Sequence, residues 1–125
     1  MKRRVKKPFL GFNFLFCFLS IKKGGPLMAK LERDFQASLI KELKSVFQGC
    51  IVMKNDSSYI QGIPDLLVLY KDKWASLEVK KFANARKRPN QEYYVDLMDS
   101  MSFSRFISPE NKDEVLYELD QFFEQ

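Results

Sequence analysis

Leu31, Phe35, Leu39, Leu43 and Val46/Phe47 recur at three- and four-residue steps, Ile40 widens the stripe, and charged side chains take the other faces. This spacing predicts an amphipathic helix ending at Gly49. Cys50 to Met53 is an apolar run of strand length, and Asn55-Asp56-Ser57-Ser58 opens a loop that continues through Gly62-Ile63-Pro64. From Asp65 to Tyr70 the chain is nearly continuous in apolar residues, the pattern of a strand covered on both faces. Lys71-Asp72-Lys73 makes a tight connection, so the next strand is a hairpin partner. That strand, Trp74 to Lys81, alternates: Ala75, Leu77 and Val79 share one face, and Trp74, Ser76, Glu78 and Lys80 the other.

A basic loop, Arg86-Lys87-Arg88, leads to Pro89, which suits the start of a helix running through Gln91, Tyr94, Val95, Met98 and Met101. Phe103 to Ser108 reads as a short strand. Ser108-Pro109-Glu110 then opens a last amphipathic helix with Val115, Leu116, Leu119, Phe122 and Phe123 on its apolar side. The order α-β-β-β-α-β-α, without repeats or low-complexity segments, predicts an α/β domain: a mixed sheet flanked by helices, closed by a C-terminal helix.

At 125 residues the chain has room for one compact domain. Hydrophobic residues at 46% and charged residues at 30% supply a core and exclude a disordered tail. There is no histidine. That excludes mechanisms built on an imidazole base, nucleophile or ligand, among them Ser-His-Asp triads and zinc hydrolases. Cys17 and Cys50 form neither a disulfide framework nor a zinc spacing, so the expected compartment is a reducing cytoplasm.

The formal charge of +5 is unevenly placed. Seven of the 21 Lys/Arg lie in residues 1–27 and none of the 16 Asp/Glu do, which leaves residues 28–125 with 14 basic against 16 acidic side chains, a net −2. Bulk basicity therefore belongs to the leader. Its apolar run, Phe9 to Ile21, follows a basic start, as in a signal peptide, but lacks a small-residue cleavage site. It is also shorter than the ~20 residues that span a bilayer. A further reading explains more. Lys22-Lys23-Gly24-Gly25 can be encoded by codons containing AAAGGAGG, a ribosome-binding sequence, just upstream of Met28-Ala29-Lys30. The expectation is a non-native leader at 1–27 from a misassigned start, ahead of a membrane or export segment and of a folded extension, with the functional domain at 28–125.

Asp65 begins one predicted strand, and its hairpin neighbour carries Glu78 and Lys80 on one face, ~6.5–7 Å apart. Asp65 can then stand beside Glu78. Two carboxylates with nearby carbonyls make a hard oxygen site suited to Mg²⁺ or Mn²⁺. Lys80 adds a cation able to neutralise charge developing on a phosphorane-like transition state.

Gly62-Ile63-Pro64-Asp65, then twelve residues, then Glu78-Val79-Lys80 resembles the PD-(D/E)xK nuclease signature. The Gly-x-Pro-Asp form, the Glu-Val-Lys-Lys ending and Gln91 downstream are similar to the VRR-NUC branch, common in phages. The resemblance covers residues 30–125 and implies a restriction-endonuclease-like αβββαβ core. It implies Asp65 and Glu78 as metal ligands, the Val79 carbonyl as a third, and Lys80 as the catalytic lysine. Glu32 matches the acid that completes the metal shell in many members, and Gln91 the polar residue supporting the lysine or a phosphate. Lys81, Arg86, Lys87 and Arg88 form a basic cluster suited to DNA phosphates. The implied activity is a Mg²⁺- or Mn²⁺-dependent endodeoxyribonuclease, a phage enzyme acting in the host-cell cytoplasm on branched recombination or replication intermediates, and working as a homodimer.

Each residue also has a plainer reading. Asp65 after Gly-x-Pro suits a turn, Glu78 and Lys80 suit the solvated face of an alternating strand, and Glu32 suits a helix's first turn. Two other functions stand beside the nuclease: a nucleic-acid-binding module of a replication or packaging complex, and a membrane-tethered or exported nuclease if residues 1–27 are genuine. With Met28 as the start, no membrane partner is expected.

Overall fold

A computed structural model describes residues 25–125; the expected leader lies outside the described residues except for its last three positions. Helix α1 (Gly25–Val46) carries the predicted stripe, with Leu39 and Leu43 fully buried and Phe35 and Ile40 packed against the core. It begins upstream of Met28, because nothing there breaks a helix and Pro26 falls in the first turn, where a missing N–H is no loss. The chain turns away at Gly49, whose φ of +93° is the left-handed conformation that follows helix ends.

Strands β1 (Ile51–Lys54), β2 (Leu66–Tyr70) and β3 (Lys73–Val79) precede helix α2 (Pro89–Met101), strand β4 (Ser104–Ile107) and helix α3 (Lys112–Phe123). The chain is thus an α/β protein whose described part has three helices and an open four-stranded mixed sheet, in the predicted element order. Helix α3 starts later than Ser108-Pro109 suggests. Asn111 accepts the Ser108 N–H (2.7 Å) and donates to the Phe106 carbonyl (3.1 Å), a local turn that competes with helix.

The sheet order is β1-β2-β3-β4. The β1–β2 and β2–β3 pairs are antiparallel; β3 and β4 are parallel, so α2 serves as the crossover such a pair requires. Helices α1 and α3 cover one face. Leu39, Leu43, Leu116 and Leu119 pack there with Leu66, Val68, Leu77 and Ile107. Phe47, Tyr70 and Phe123 form a three-ring cluster with centroids 5.1–5.5 Å apart. The Lys112–Glu42 ion pair at 2.6 Å ties α3 to α1. Burying each such leucine contributes about 1.5–3 kcal/mol.

Helix α2 lies on the other face, where Ser76 meets Ser104 (2.7 Å) and Met98 (3.8 Å). It covers β3 and β4 only, and this corrects one expectation. Strand β2 is not buried on both faces: Leu66 and Val68 are fully buried, whereas Leu67 and Leu69 are half-buried and the paired β1 residues Met53 and Ile51 are exposed. Among the described residues, no helix is long and apolar enough to cross a membrane.

Candidate active site

The β2–β3 hairpin brings the two carboxylates together. Leu66 pairs with Leu77, so one step beyond the ladder Asp65 stands opposite Glu78. Asp65 Oδ2 accepts the Val79 N–H at 2.9 Å, which fixes the carboxylate against the end of β3. Val79, expected to lend its carbonyl, thus meets Asp65 through its amide. On the other side, Asn55 clamps the strand: its N–H donates to the Asp65 carbonyl (2.8 Å) and its Nδ2 to the Pro64 carbonyl (2.8 Å). The loop between β1 and β2 is closed at its base by these two bonds.

Glu78 and Lys80 are buried, at 4% and 9% exposure, so the polar face of β3 is not a solvated one. The first turn of α2 covers them. Gln91, third in that helix, accepts from Lys80 Nζ (2.7 Å) and from the Arg88 N–H (3.1 Å) through Oε1, and donates to Glu78 Oε2 (2.8 Å) through Nε2. An ammonium and a backbone N–H only donate, so the oxygen of this amide must face them and the amide has one orientation. Reaching back to the Arg88 N–H also satisfies an orphan donor of the helix start. Lys80 Nζ further donates to the Arg86 carbonyl (3.0 Å) and lies 4.0 Å from Glu78 Oε2.

Electrostatically the site is under tension. Burial, then the charge of Asp65, pushes Glu78 from an ordinary 4.5 up to about 8, against the pull of Lys80. Burial also raises Asp65, offset by the Val79 amide and Lys80. Glu32, half-buried on α1, is raised first by burial, with Lys81 opposing and Asp65 adding. Glu78 Oε1 is buried without a hydrogen-bond partner. A buried unpaired carboxylate oxygen is costly, and a divalent cation beside Asp65 and Glu78 would relieve both desolvation and repulsion. The residues present fit such an ion.

The fit is a spare one. Among the described residues, no three Asp, Glu or Cys side chains gather closely enough to hold an ion by themselves. Glu32 lines the same cavity as Asp65 and Glu78 without joining them as a third ligand. Two carboxylates leave most positions to water and carbonyls, which is the way Mg²⁺ is commonly held.

Two lobes of a cleft meet at the carboxylates. One, about 490 Å³, is walled by Ser57, Gln61 and Gly62 from the loop and by Pro89 and Asn90 from α2. The other, about 550 Å³, is walled by Glu32, Lys81, Phe82 and Asn84. Asp65, Glu78, Arg86, Arg88 and Gln91 belong to both. Lys81, Arg86 and Arg88 thus stand in the cleft. Lys87 does not: its Nζ lies 4.7 Å over the Phe106 ring.

Sequence reasoning missed Asn55 and Asn90. Asn55 directly follows an apolar strand-length run, where a side chain able to bond loop backbone is favoured, and that was the available signal. Asn90 gave none, since its contact with Gly62 exists only in the folded chain. No protein-family model and no curated protein matches the sequence.

Proposed function

We propose that this protein is a metal-dependent DNA nuclease, hydrolysing phosphodiester bonds in branched replication or recombination intermediates, with Mg²⁺ or Mn²⁺ as cofactor. One observation carries the reading: Glu78, opposite Asp65 on the neighbouring strand, has its Oε1 buried and unpartnered, with the Lys80 ammonium 4.0 Å from Oε2 of the same carboxylate. The element order α-β-β-β-α-β, with Asp65 and Glu78-Val79-Lys80 on adjoining strands, supports a restriction-endonuclease-like core of the phage VRR-NUC type.

Asp65, Glu78 and the Val79 carbonyl would hold the ion, which when bound supplies a Lewis acid for the phosphodiester and a lowered pKa for the attacking water. Lys80 has three N–H donors, of which Gln91 and the Arg86 carbonyl take two. The third is free to hold a water or a phosphate oxygen and to offset negative charge growing at phosphorus. Gln91 is a positioning residue, keeping that ammonium and the Glu78 carboxylate in register. Lys81, Arg86 and Arg88 flank the carboxylates as contacts for backbone phosphates. Two cuts in a branched junction need two sites, so the working form in this reading is a homodimer, with the exposed Ile51 and Met53 of edge strand β1 offering it apolar surface.

The test uses the full chain, its Asp65→Ala and Lys80→Ala variants, and labelled four-way-junction, forked, duplex and single-stranded DNA with EDTA, Mg²⁺ or Mn²⁺. Metal-dependent cutting by the parent, reduced by about a hundredfold or more in both variants, is the expected result. DNA binding without cutting under every ion would sink the nuclease reading and leave a binding module.

A further inference from the structure

The two elements that wall the first lobe of the cleft each carry an exposed tyrosine next to its lining, which the phosphodiester chemistry does not use. Tyr59, in the loop between β1 and β2, is 85% exposed, and Tyr93 of α2 is 60% exposed. The same loop and the same helix build that lobe, through Ser57, Gln61 and Gly62 on one side and Asn90 on the other.

Neither ring hangs on a free segment. Asp56 Oδ1 accepts from the Ser58 N–H (2.9 Å) and hydroxyl (2.6 Å), and the Asp56 carbonyl accepts from the Tyr59 N–H (3.1 Å), so a bonded turn presents Tyr59. The loop is then pressed onto α2, since a Cβ on Gly62 would lie 2.5 Å from Asn90 Cβ. Tyr93 follows Asn90 by three residues, on the same side of the helix. Its ring meets that of Tyr94 nearly edge-on, centroids 5.1 Å apart. Arg86 and Arg88 line the same lobe.

We infer that the surface flanking this lobe is a stacking subsite for unpaired nucleobases: phosphates follow Arg86 and Arg88 in the lobe, and bases leaving it rest on Tyr59 and Tyr93. The inference deepens the nuclease reading and rests on it. Exposed aromatic rings next to a cationic path are the chemistry by which proteins hold single strands, because every base offers a π-face. Bases within a duplex are already stacked and give such rings nothing to bind. The substrate class is therefore DNA with a single-stranded stretch at the cut, as in a flap, a fork or an opened junction.

The experiment measures fluorescence anisotropy of a labelled single strand and of the same sequence as a blunt duplex, in EDTA, with the full chain and its Tyr59→Ala, Tyr93→Ala and Tyr59→Phe variants. Each alanine variant is expected to weaken single-strand binding roughly five- to a hundredfold and duplex binding by less than about twofold, with Tyr59→Phe near the parent. Equal losses on both DNAs, or no loss, would overturn the inference. So would a fall in molecular mass by light scattering with unchanged DNA affinity, which would give the rings to a second copy of the chain. Cleavage in Mg²⁺ is read alongside. Single-strand selectivity without cutting keeps the subsite and removes the nuclease; cutting with unmoved affinities keeps the nuclease and removes the subsite.

Discussion

Lys80 Nζ and Glu78 Oε2 stand 4.0 Å apart, and both bond the one Gln91 amide, 2.7 Å on the lysine side and 2.8 Å on the glutamate side. The direct ion pair is looser than either bridged bond, so Gln91 sets the spacing. Gln91→Ala should lower kcat by roughly 10- to 100-fold, the usual effect of removing a residue that orients a metal or catalytic group. KM for DNA should stay near the parental value, because Gln91 is not needed to hold phosphates. Steady-state kinetics in Mg²⁺ separates the two, and a parental kcat would show that the spacing is set elsewhere.

Stability should depend on pH through Glu78. Its carboxyl titrates near 4.5 when unfolded and near 8 when folded. Between those values the folded chain binds more protons than the unfolded one, so unfolding free energy falls as pH rises through the window and levels off above it. Asp65 and Glu32, also raised, act with the same sign. Asp56, lowered by its bonds to Ser58, acts below the window. At about 1.4 kcal/mol per pKa unit the effect is on the order of several kcal/mol. Glu78→Gln should flatten the slope and leave a metal-free protein more stable than the parent near pH 8, yet inactive. Urea unfolding near pH 5 and near pH 8 measures this, and added Mg²⁺ should stabilise the parent alone at the higher pH. A parent whose midpoint does not move between the two would contradict the assignment.

Two glycines at the same φ make a matched pair. Gly49 and Gly62 both have φ +93°, but a Cβ on Gly49 meets nothing within 4 Å, whereas one on Gly62 would lie 2.5 Å from Asn90 Cβ and 2.8 Å from its carbonyl carbon. Gly49→Ala carries only the left-handed backbone penalty, about 1–2 kcal/mol, and should leave cleavage at the parental rate. Gly62→Ala must also lift the loop from α2, separating the strand that begins after Asp65 from the helix that carries Gln91. It should lose stability beyond Gly49→Ala and lose activity as well. Thermal melts and cleavage rates on the pair decide it; equal behaviour would mean that the loop-to-helix contact does not hold the site.

Much of this arrangement is legible in the chain. The 3.6 period of Leu39, Leu43 and Phe47 and the period-two alternation of Ala75, Leu77 and Val79 name the elements and the buried faces, because each reports burial directly. The connection expected at Lys71-Asp72-Lys73 is one residue shorter in the structure, where Tyr70 pairs with Lys73, and it is this register that puts Asp65 opposite Glu78. Burial of Glu78 and Lys80 is not legible, since alternation says which face they share and not what covers it. That cover is the first turn of α2, brought back over β3 by the irregular loop of residues 80–88 between them. The half-open face of β2 has the same origin: Leu67 and Leu69 look like core in sequence, but α2 reaches only β3 and β4. Adjacency groups Lys87 with its neighbours, though the loop turns it onto Phe106.

That divergence within three consecutive basic residues gives a further test. Arg86 and Arg88 line both lobes of the cleft, whereas the Lys87 ammonium is held 4.7 Å over the Phe106 ring. All three raise the local positive charge equally, so a purely diffuse attraction would make them interchangeable. Direct bonds to phosphate would not. Removing one cation that touches a phosphate should reduce the slope of log affinity against log salt by about one and weaken binding of all sequences alike. Arg86→Ala and Arg88→Ala should therefore each flatten the salt dependence of DNA binding. Lys87→Ala should keep the parental slope and at most loosen β4, because the cation–π interaction it removes is worth about 0.5–1 kcal/mol at an exposed site. Anisotropy titrations across a salt series measure the three slopes. If Lys87→Ala flattens its slope as much as the two arginine variants, the cleft is not the path of the DNA backbone.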